Sequence, residues 1–393
     1  MKKYTFICLY FIFLMGCNQS NNKTKEGIGI TTIEINPEIN RKIDIDVLYS
    51  DYQFIRLETN ENTLISFAHK LEIFQDRIYI FNRRVSGGAI FCFNKQGKFL
   101  YKIANHGQGP GETVFMMDFS INKKNHTLWI GDDARKILEY DLDGHFIKEY
   151  RTDFSINNIT CMESDSDLFA IRFGYYKDKN YGLAIYSLHN EKTIAHRMYA
   201  SNFERIVGGE SMSFYGKDLL YCFGFTDTLF QVTTQNFIPI YALDFGKHKI
   251  LKEMYGDEIS KNFIADINKP SNKYAGLITN AIKDEDFLKF MYSYCGENQL
   301  SIYSDRDRKV INISKIIIDG KESAVSQFLI QNEGDKFYSV ISPNSLIDSS
   351  NEKEIQAKPF GIYKDINQLK SELKSDDNPI LIVGKINYDL LLK

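Results

Sequence analysis

Two stretches of this chain align without a gap at an offset of 47 residues. The first runs Phe91-Cys92-Phe93-Asn94-Lys95-Gln96-Gly97-Lys98-Phe99-Leu100-Tyr101-Lys102-Ile103. The second runs Leu138-Glu139-Tyr140-Asp141-Leu142-Asp143-Gly144-His145-Phe146-Ile147-Lys148-Glu149-Tyr150. In each, alternating apolar residues lead into an Asn/Asp-x-x-Gly turn and out into another strand. The glycine supplies the positive φ of a tight hairpin. Upstream lie two more strand-like runs per unit: Phe67 to Phe74 with Arg77 to Phe81, then Phe115 to Ile121 with Thr127 to Ile130. The unit is therefore a four-strand meander that cannot bury both its faces alone. Meanders repeated at this period pack as blades around a central axis.

The later units are weaker but legible. Blade three is expected over Ile156 to Tyr199, blade four over Ser211 to Phe245 and blade five over Asp286 to Ile317; blade six includes Ser326 to Ile341. Two inserts interrupt them. Ile250 to Ile267 has helix-like content. Asp365 to Leu373 carries Ile366, Leu369 and Leu373 at helical spacing, with Asp365 placed to cap it and Gln368 three residues on. Residues 52–393, less about 75 for the inserts, hold close to six periods. The expected fold is all-β: a six-bladed β-propeller of four-stranded antiparallel blades with short helical inserts. A strand near one terminus closes the ring, either Tyr52 to Glu58 or Ile380 to Ile386, and the pattern does not choose between them. The 29 Phe and 24 Tyr against one Trp suit half-buried pleated surfaces.

The amino end says where such a disc works. Lys2 and Lys3 precede an apolar run from Tyr4 to Leu14, followed by Met15-Gly16-Cys17. The run is too short to cross a bilayer core of roughly 30 Å as a helix, so it reads as a signal h-region. A small residue directly before a cysteine, with Leu14 at the apolar position, reads as a lipobox; the alternative is an ordinary secretory signal with a chance cysteine. Residues 1–16 are expected to be a lipoprotein signal peptide. Residues 17–30 form a lipidated start at Cys17 and a flexible tether, since Asn18 to Glu26 is polar without periodicity. Residues 31–393 form the propeller. Acyl chains at ~0.8 kcal/mol per buried methylene give a durable anchor. The protein is thus expected to be exported and lipid-anchored in the cell envelope, at the outer membrane. The lack of an acidic cluster after Cys17 leans toward the periplasmic leaflet and leaves surface display open.

Charge and motifs narrow the chemistry. Loss of Lys2 and Lys3 moves the formal charge from −3 to −5, and no basic block remains, which argues against a nucleic-acid partner. Cys92, Cys161, Cys222 and Cys295 form no C-x-x-C pair, against zinc or thioredoxin chemistry. An oxidising compartment permits disulfides, but Cys92 and Cys222 sit in apolar runs that favour buried thiols. The glycines of Gly107-Gln108-Gly109-Pro110-Gly111-Glu112 could wrap a phosphate, yet no lysine follows and a strand comes next, so the segment reads as an interblade turn. Asp141-Leu142-Asp143-Gly144 lacks the glutamate of a calcium loop, with Thr152 in its place, and reads as a hairpin. No H-E-x-x-H, no G-x-S-x-G and no distinctive carboxylate pair appears. No metal or cofactor is expected. His69 and His106 lie where they could approach the channel.

Trp129-Ile130-Gly131-Asp132 with Lys136 to Gly144 resembles an NHL-type blade. The chain is similar to the six-bladed β-propeller lipoproteins of Gram-negative bacteria in its lipobox, Phe54-Ile55-Arg56-Leu57-Glu58, the Gly107 to Glu112 loop, Thr226-Asp227-Thr228-Leu229-Phe230 and Asn378-Pro379-Ile380-Leu381. It departs at Thr113, where that group has an aromatic residue. The resemblance implies a fold and a location, without catalytic residues. In propellers, ligands meet the face carrying the loops between blades and between second and third strands. Here those loops hold Arg83, Arg84, His106, Asp132, Asp133, Arg135, Tyr175 and Tyr176, which suit a carbohydrate, peptide or acidic ligand. The expected function is binding or scaffolding for an envelope protein or a glycan or peptide ligand. The alternative is a hydrolase or lyase acting on a glycan or peptide at the channel mouth.

Overall fold

The computed structural model describes residues 29–84, 87–174, 181–198, 211–222, 226–251, 266–267, 269–347 and 362–393. The signal, Cys17, most of the tether, Tyr175, Tyr176 and most of the Ile250 to Ile267 insert lie outside them.

The chain begins with β1 (Thr31–Glu34), β2 (Arg41–Asp44), helix α1 (Ile45–Leu48) and β3 (Tyr49–Arg56). Blade one is then β4 (Ala68–Phe74), β5 (Arg77–Arg84), β6 (Gly87–Asn94) and β7 (Phe99–Ile103). Blade two is β8 (Met116–Asn122), β9 (Thr127–Asp132), β10 (Lys136–Asp141) and β11 (Phe146–Arg151). Blade three is β12 (Ile156–Cys161), β13 (Leu168–Phe173), β14 (Tyr181–Ser187) and β15 (Lys192–Met198). Blade four is β16 (Ser211–Tyr215), β17 (Asp218–Cys222), β18 (Thr228–Val232) and β19 (Phe237–Asp244). Blade five is β20 (Ala275–Lys283), β21 (Phe287–Tyr294), β22 (Glu297–Ser304) and β23 (Lys309–Ile318), with β24 (Lys321–Ala324) folding back on the end of β23. Blade six takes β25 (Gln331–Glu333), β26 (Lys336–Ile341) and β27 (Ile380–Ile386) from the carboxyl end and β3 from the amino end. The fold is a six-bladed β-propeller of four-stranded antiparallel blades.

Period-two alternation builds the ring. Within β5, Ile78 and Ile80 pack toward blade six, while Tyr79 and Phe81 pack toward blade two. Each strand thus feeds two interfaces. The buried apolar residues described fall into six clusters, one at each blade junction. The cluster between blades five and six also holds α1, Leu346 of α2 (Pro343–Ile347) and Ile362, Ile366 and Leu369 of α3 (Ile362–Glu372). The second insert therefore fills the wedge between two blades rather than covering the axis. Its helix begins three residues before Asp365, which sits in the first turn.

Closure uses both ends of the chain. β3 pairs antiparallel with β27 from Arg56↔Ile380 to Tyr49↔Ile386, so the two sequence candidates are neighbours and the amino-terminal strand is the outermost. The segment before it, already within the propeller by sequence, contributes two strands that the sequence pattern does not reveal. β1 adds in parallel to β19, and β2 in parallel to β23, covering the outer edges of blades four and five. Each has only four residues, too few to show a period.

Both repeat hairpins form as read. Asn94 Oδ1 accepts from the N–H groups of Gln96 and Lys98, and Asp141 Oδ1 from those of Asp143 and His145. Gly97 and Gly144 have φ of 82° and 87°. A second constraint acts on both: a Cβ on Gly97 would stand 1.9 Å from the Arg56 carbonyl, and one on Gly144 2.7 Å from the Tyr101 ring. Each hairpin seats against the outer strand of the preceding blade.

Blade five starts at Ala275, not Asp286. Its first strand was hidden because β20 breaks register twice and holds Leu277 and Asn280 at φ of 56° and 50°, which destroys the alternation a reader would look for. The four later cysteines are free thiols; Cys92, Cys161 and Cys222 are buried, and burial pushes the Cys92 thiol up to about 11.

One core position is costly. Lys289 shares a face of β21 with Phe287 and Met291, which pack into the cluster between blades five and six. It is 1% exposed, and its ammonium meets only the Leu329 carbonyl. Burial drives its pKa well below the usual lysine range. Lys289→Met should stabilise the fold by about 1–3 kcal/mol at pH 7, since the replaced group is under-satisfied. The unfolded chain holds the proton up to about pH 10.4 whereas the folded one releases it at lower pH, so stability rises with pH between the two. The gain from methionine should therefore shrink between pH 7 and pH 10 in urea titrations.

Candidate functional site

A cavity of about 1090 Å³ lies on the ring axis. Its wall comes from the first strands of the blades: Ala68 to Leu71, Asp118, Asn158 and Thr160, Met212 and Ser213, Thr279 to Ile282, and Gln331. Its mouth is made by Ile65 to Phe67 ahead of β4, by Ser342 to Asn344 after β26, and by Ser375 to Asp377 with Pro379 before β27. The mouth thus belongs to the face bearing the interblade and second-to-third-strand connections.

The wall is a belt of polar bonds from blade to blade. Gln331 Nε2 of blade six donates to the Leu71 carbonyl of blade one at 3.1 Å. Lys70 of blade one donates to the Phe119 carbonyl of blade two at 2.5 Å and pairs with Asp118 at 3.1 Å. Asp118 Oδ2 accepts from the Ile159 N–H of blade three at 3.0 Å. Ser213 Oγ of blade four donates to the Ala281 carbonyl of blade five at 2.6 Å, and Asn280 of blade five to the Leu329 carbonyl at 3.5 Å. Bulges at the same place in β4, β8 and β12 set the phase: each is followed by the polar residue that joins the belt, Lys70, Asp118 and Asn158.

The charged part of the belt is self-contained. Lys70 also pairs with Glu72 at 3.1 Å, and Glu72 Oε2 accepts from the Ile121 N–H at 2.9 Å. Burial lowers the Lys70 pKa but its two carboxylates outweigh it and keep the ammonium charged. With two carboxylates to one cation, burial still holds the Glu72 carboxyl above its ordinary range. Both carboxylates are engaged, so they do not form the paired acid and base that glycan hydrolysis uses.

Other polar groups of the cavity are open. Among the described residues, the side chains of Thr279, Asn298, Ser326, Asn344 and Asp376 line the cavity without an intramolecular hydrogen bond. Gln327 Oε1 is buried there without a partner. Phe67 is 62% exposed at the lip, its ring 6.2 Å from His69, which meets Phe81 edge-on at 5.7 Å. Burial lowers the His69 pKa, favouring the neutral ring.

The residues singled out from sequence are placed differently. Asp132 is fully buried; its carboxylate accepts from the N–H groups of Val114 and Phe115 at 2.7 and 3.1 Å and of Ala134 at 2.9 Å, so it fixes the interblade loop instead of facing a ligand. Arg83 lies 5.8 Å over the Phe115 ring and 3.7 Å from Met117 Sδ. The His106 ring packs on Gly87. Arg135 is exposed with φ 61° in the turn after β9, as is its neighbour Asp133. None of these lines the cavity. The Arg84 side chain, Tyr175 and Tyr176 lie outside the described residues. Of the two histidines, His69 reaches the channel and His106 does not. The glycine loop is a turn as read: Glu112 Oε2 accepts from Gly109 N–H at 2.9 Å and occupies the space a bound phosphate would need, beside Gly107. Phe67 and His69 were visible as a strand start, and Asn344, Gln327 and Asp376 sit in stretches without a pattern.

Comparison with solved structures finds the same fold in a candidate exported protein of Bacteroides fragilis, 17% identical, covering 91% of this chain and 99% of that one with a TM-score of 0.71. A member of the DUF4221 family from Bacteroides vulgatus is 12% identical, covering 88% of this chain and 99% of that one with a TM-score of 0.51. No curated protein matches. The model of the family described as domain of unknown function DUF4934 matches residues 30–385, and this chain belongs to that family.

Proposed function

We propose that this chain is an exported binding protein, tethered in the cell envelope at the outer membrane by a lipid on Cys17, that takes a ligand at the mouth of its central channel. The observation that carries the reading is the division of the axial cavity. Most polar groups of its wall join blade to blade, while Asn298, Ser326, Asn344 and Asp376 have no intramolecular hydrogen bond among the described residues and share the cavity with an exposed aromatic ring. Polar groups at a concave site without partners of their own suit a ligand that supplies them. Export is supported by the signal-like residues 1–16 and by likeness to a candidate exported protein. On this reading the chain is a lipoprotein with NHL-like blades. Cys17→Ala should move the protein from the membrane to the soluble envelope fraction, with the melting temperature of the domain unchanged. Retention in the membrane fraction would refute the anchor.

A further inference from the structure

We infer that the ligand at the mouth is the end of a neutral oligosaccharide, with Phe67 as the stacking platform; this rests on the reading of the mouth as the binding site. Three observations converge. The first is chemical type. The open groups are amides and hydroxyls, at Thr279, Asn298, Ser326, Gln327 and Asn344. Each can both donate and accept, as sugar hydroxyls do. The unpaired Gln327 Oε1 calls for a donor from the cavity. The second is the exposed Phe67 ring at the lip of the same cavity. A pyranose offers an apolar C–H face to such a ring while its edge hydroxyls reach the amides. The third is charge. Lys70 is the one full cation among the described lining residues, and Glu72 and Asp118 already hold it. An acidic ligand would find no free cation and would meet Asp376 at the lip.

A peptide fits less well. An added strand needs evenly spaced N–H and C=O groups along an edge. Four of the six channel-facing strands, β4, β8, β12 and β20, are bulged where they line the cavity. The cavity volume also suits a short glycan end more than a bulky globular partner.

The test is titration calorimetry on the full exported chain, freed by Cys17→Ala. One arm uses neutral glucan, mannan, xylan and galactan oligomers of two to five units; the other uses neutral peptides of similar length. Phe67→Ala should weaken oligosaccharide binding about tenfold, Phe67→Trp should retain it, and Gln327→Ala should weaken it severalfold. Melting temperatures of these variants should match the parent, separating lost binding from lost fold. Peptide binding sensitive to Phe67→Ala, without oligosaccharide binding, would overturn the ligand class and leave the mouth reading standing. Oligosaccharide binding indifferent to Phe67→Ala and Gln327→Ala would overturn the placement at the mouth. Binding of neither class would overturn the inference.

Discussion

Lys70→Met should destabilise the propeller by about 3 kcal/mol at pH 7.5, the lower end for breaking a buried ion pair, because Lys70 is itself a quarter exposed. The substitution keeps the side chain's length and removes the cation between Glu72 and Asp118, which are only 6% and 3% exposed at their side chains. Two carboxylates then face each other across the junction of blades one and two. The penalty carries a pH signature. Burial already raises the Glu72 pKa, and loss of the cation raises it further. A carboxyl raised in the folded state binds a proton that the unfolded chain has released above about pH 4.3, so stability falls as pH rises through that window. The deficit of the variant should therefore be smaller at pH 5.5 than at pH 7.5. Denaturant titrations at the two values check this. A deficit that is constant with pH would assign the loss to packing alone.

Asn378→Ala should cost about 2–4 kcal/mol and loosen the joint where the ring closes. The Asn378 side chain is buried and serves three backbone groups: Oδ1 accepts from Ile65 N–H at 2.8 Å, and Nδ2 donates to the carbonyls of Glu58 and Thr63, each at 2.8 Å. Alanine leaves the Ile65 N–H and the Thr63 carbonyl without this partner, whereas the Glu58 carbonyl keeps the Thr63 hydroxyl, at about 1–3 kcal/mol for each group that water cannot reach. Amide hydrogen exchange should quicken first in residues 49–65, before the blades opposite. Uniform quickening around the ring would show that Asn378 is not specific to the closure.

Asn378 also shows what the sequence could and could not disclose. Its tetrapeptide was noticeable as a pattern, but its task depends on residues more than 300 positions away. Local features were readable because their causes are local. Asn94 and Asp141 cap their own hairpins, and Gly97 and Gly144 supply the turn. Features set by the ring were not. Whether β3 or β27 closed the propeller depended on a pairing between the two ends. The bulges that phase Lys70, Asp118 and Asn158 into one belt leave no mark in periodicity. The distance of each loop from the axis is likewise set by the ring. Sequence told which loops share a face, yet not how far each stands from the axis. Arg83 and Asp132 at the ends of second strands and His106 on an interblade loop are held by packing and hydrogen bonds, whereas Phe67 looked like one more strand phenylalanine until its exposure was known.

We propose ligand recognition at the channel mouth, above a wall that largely joins blade to blade. Hydrogen exchange on the Cys17→Ala chain, with and without saturating neutral oligosaccharides and a low-molecular-weight envelope extract, tests it most directly. Protection confined to residues 65–70, 279–282, 326–331, 342–344 and 375–379 is the predicted result. Protection of the outer strands 99–103, 146–151 or 192–198 with the mouth unchanged, or no protection anywhere, would contradict it.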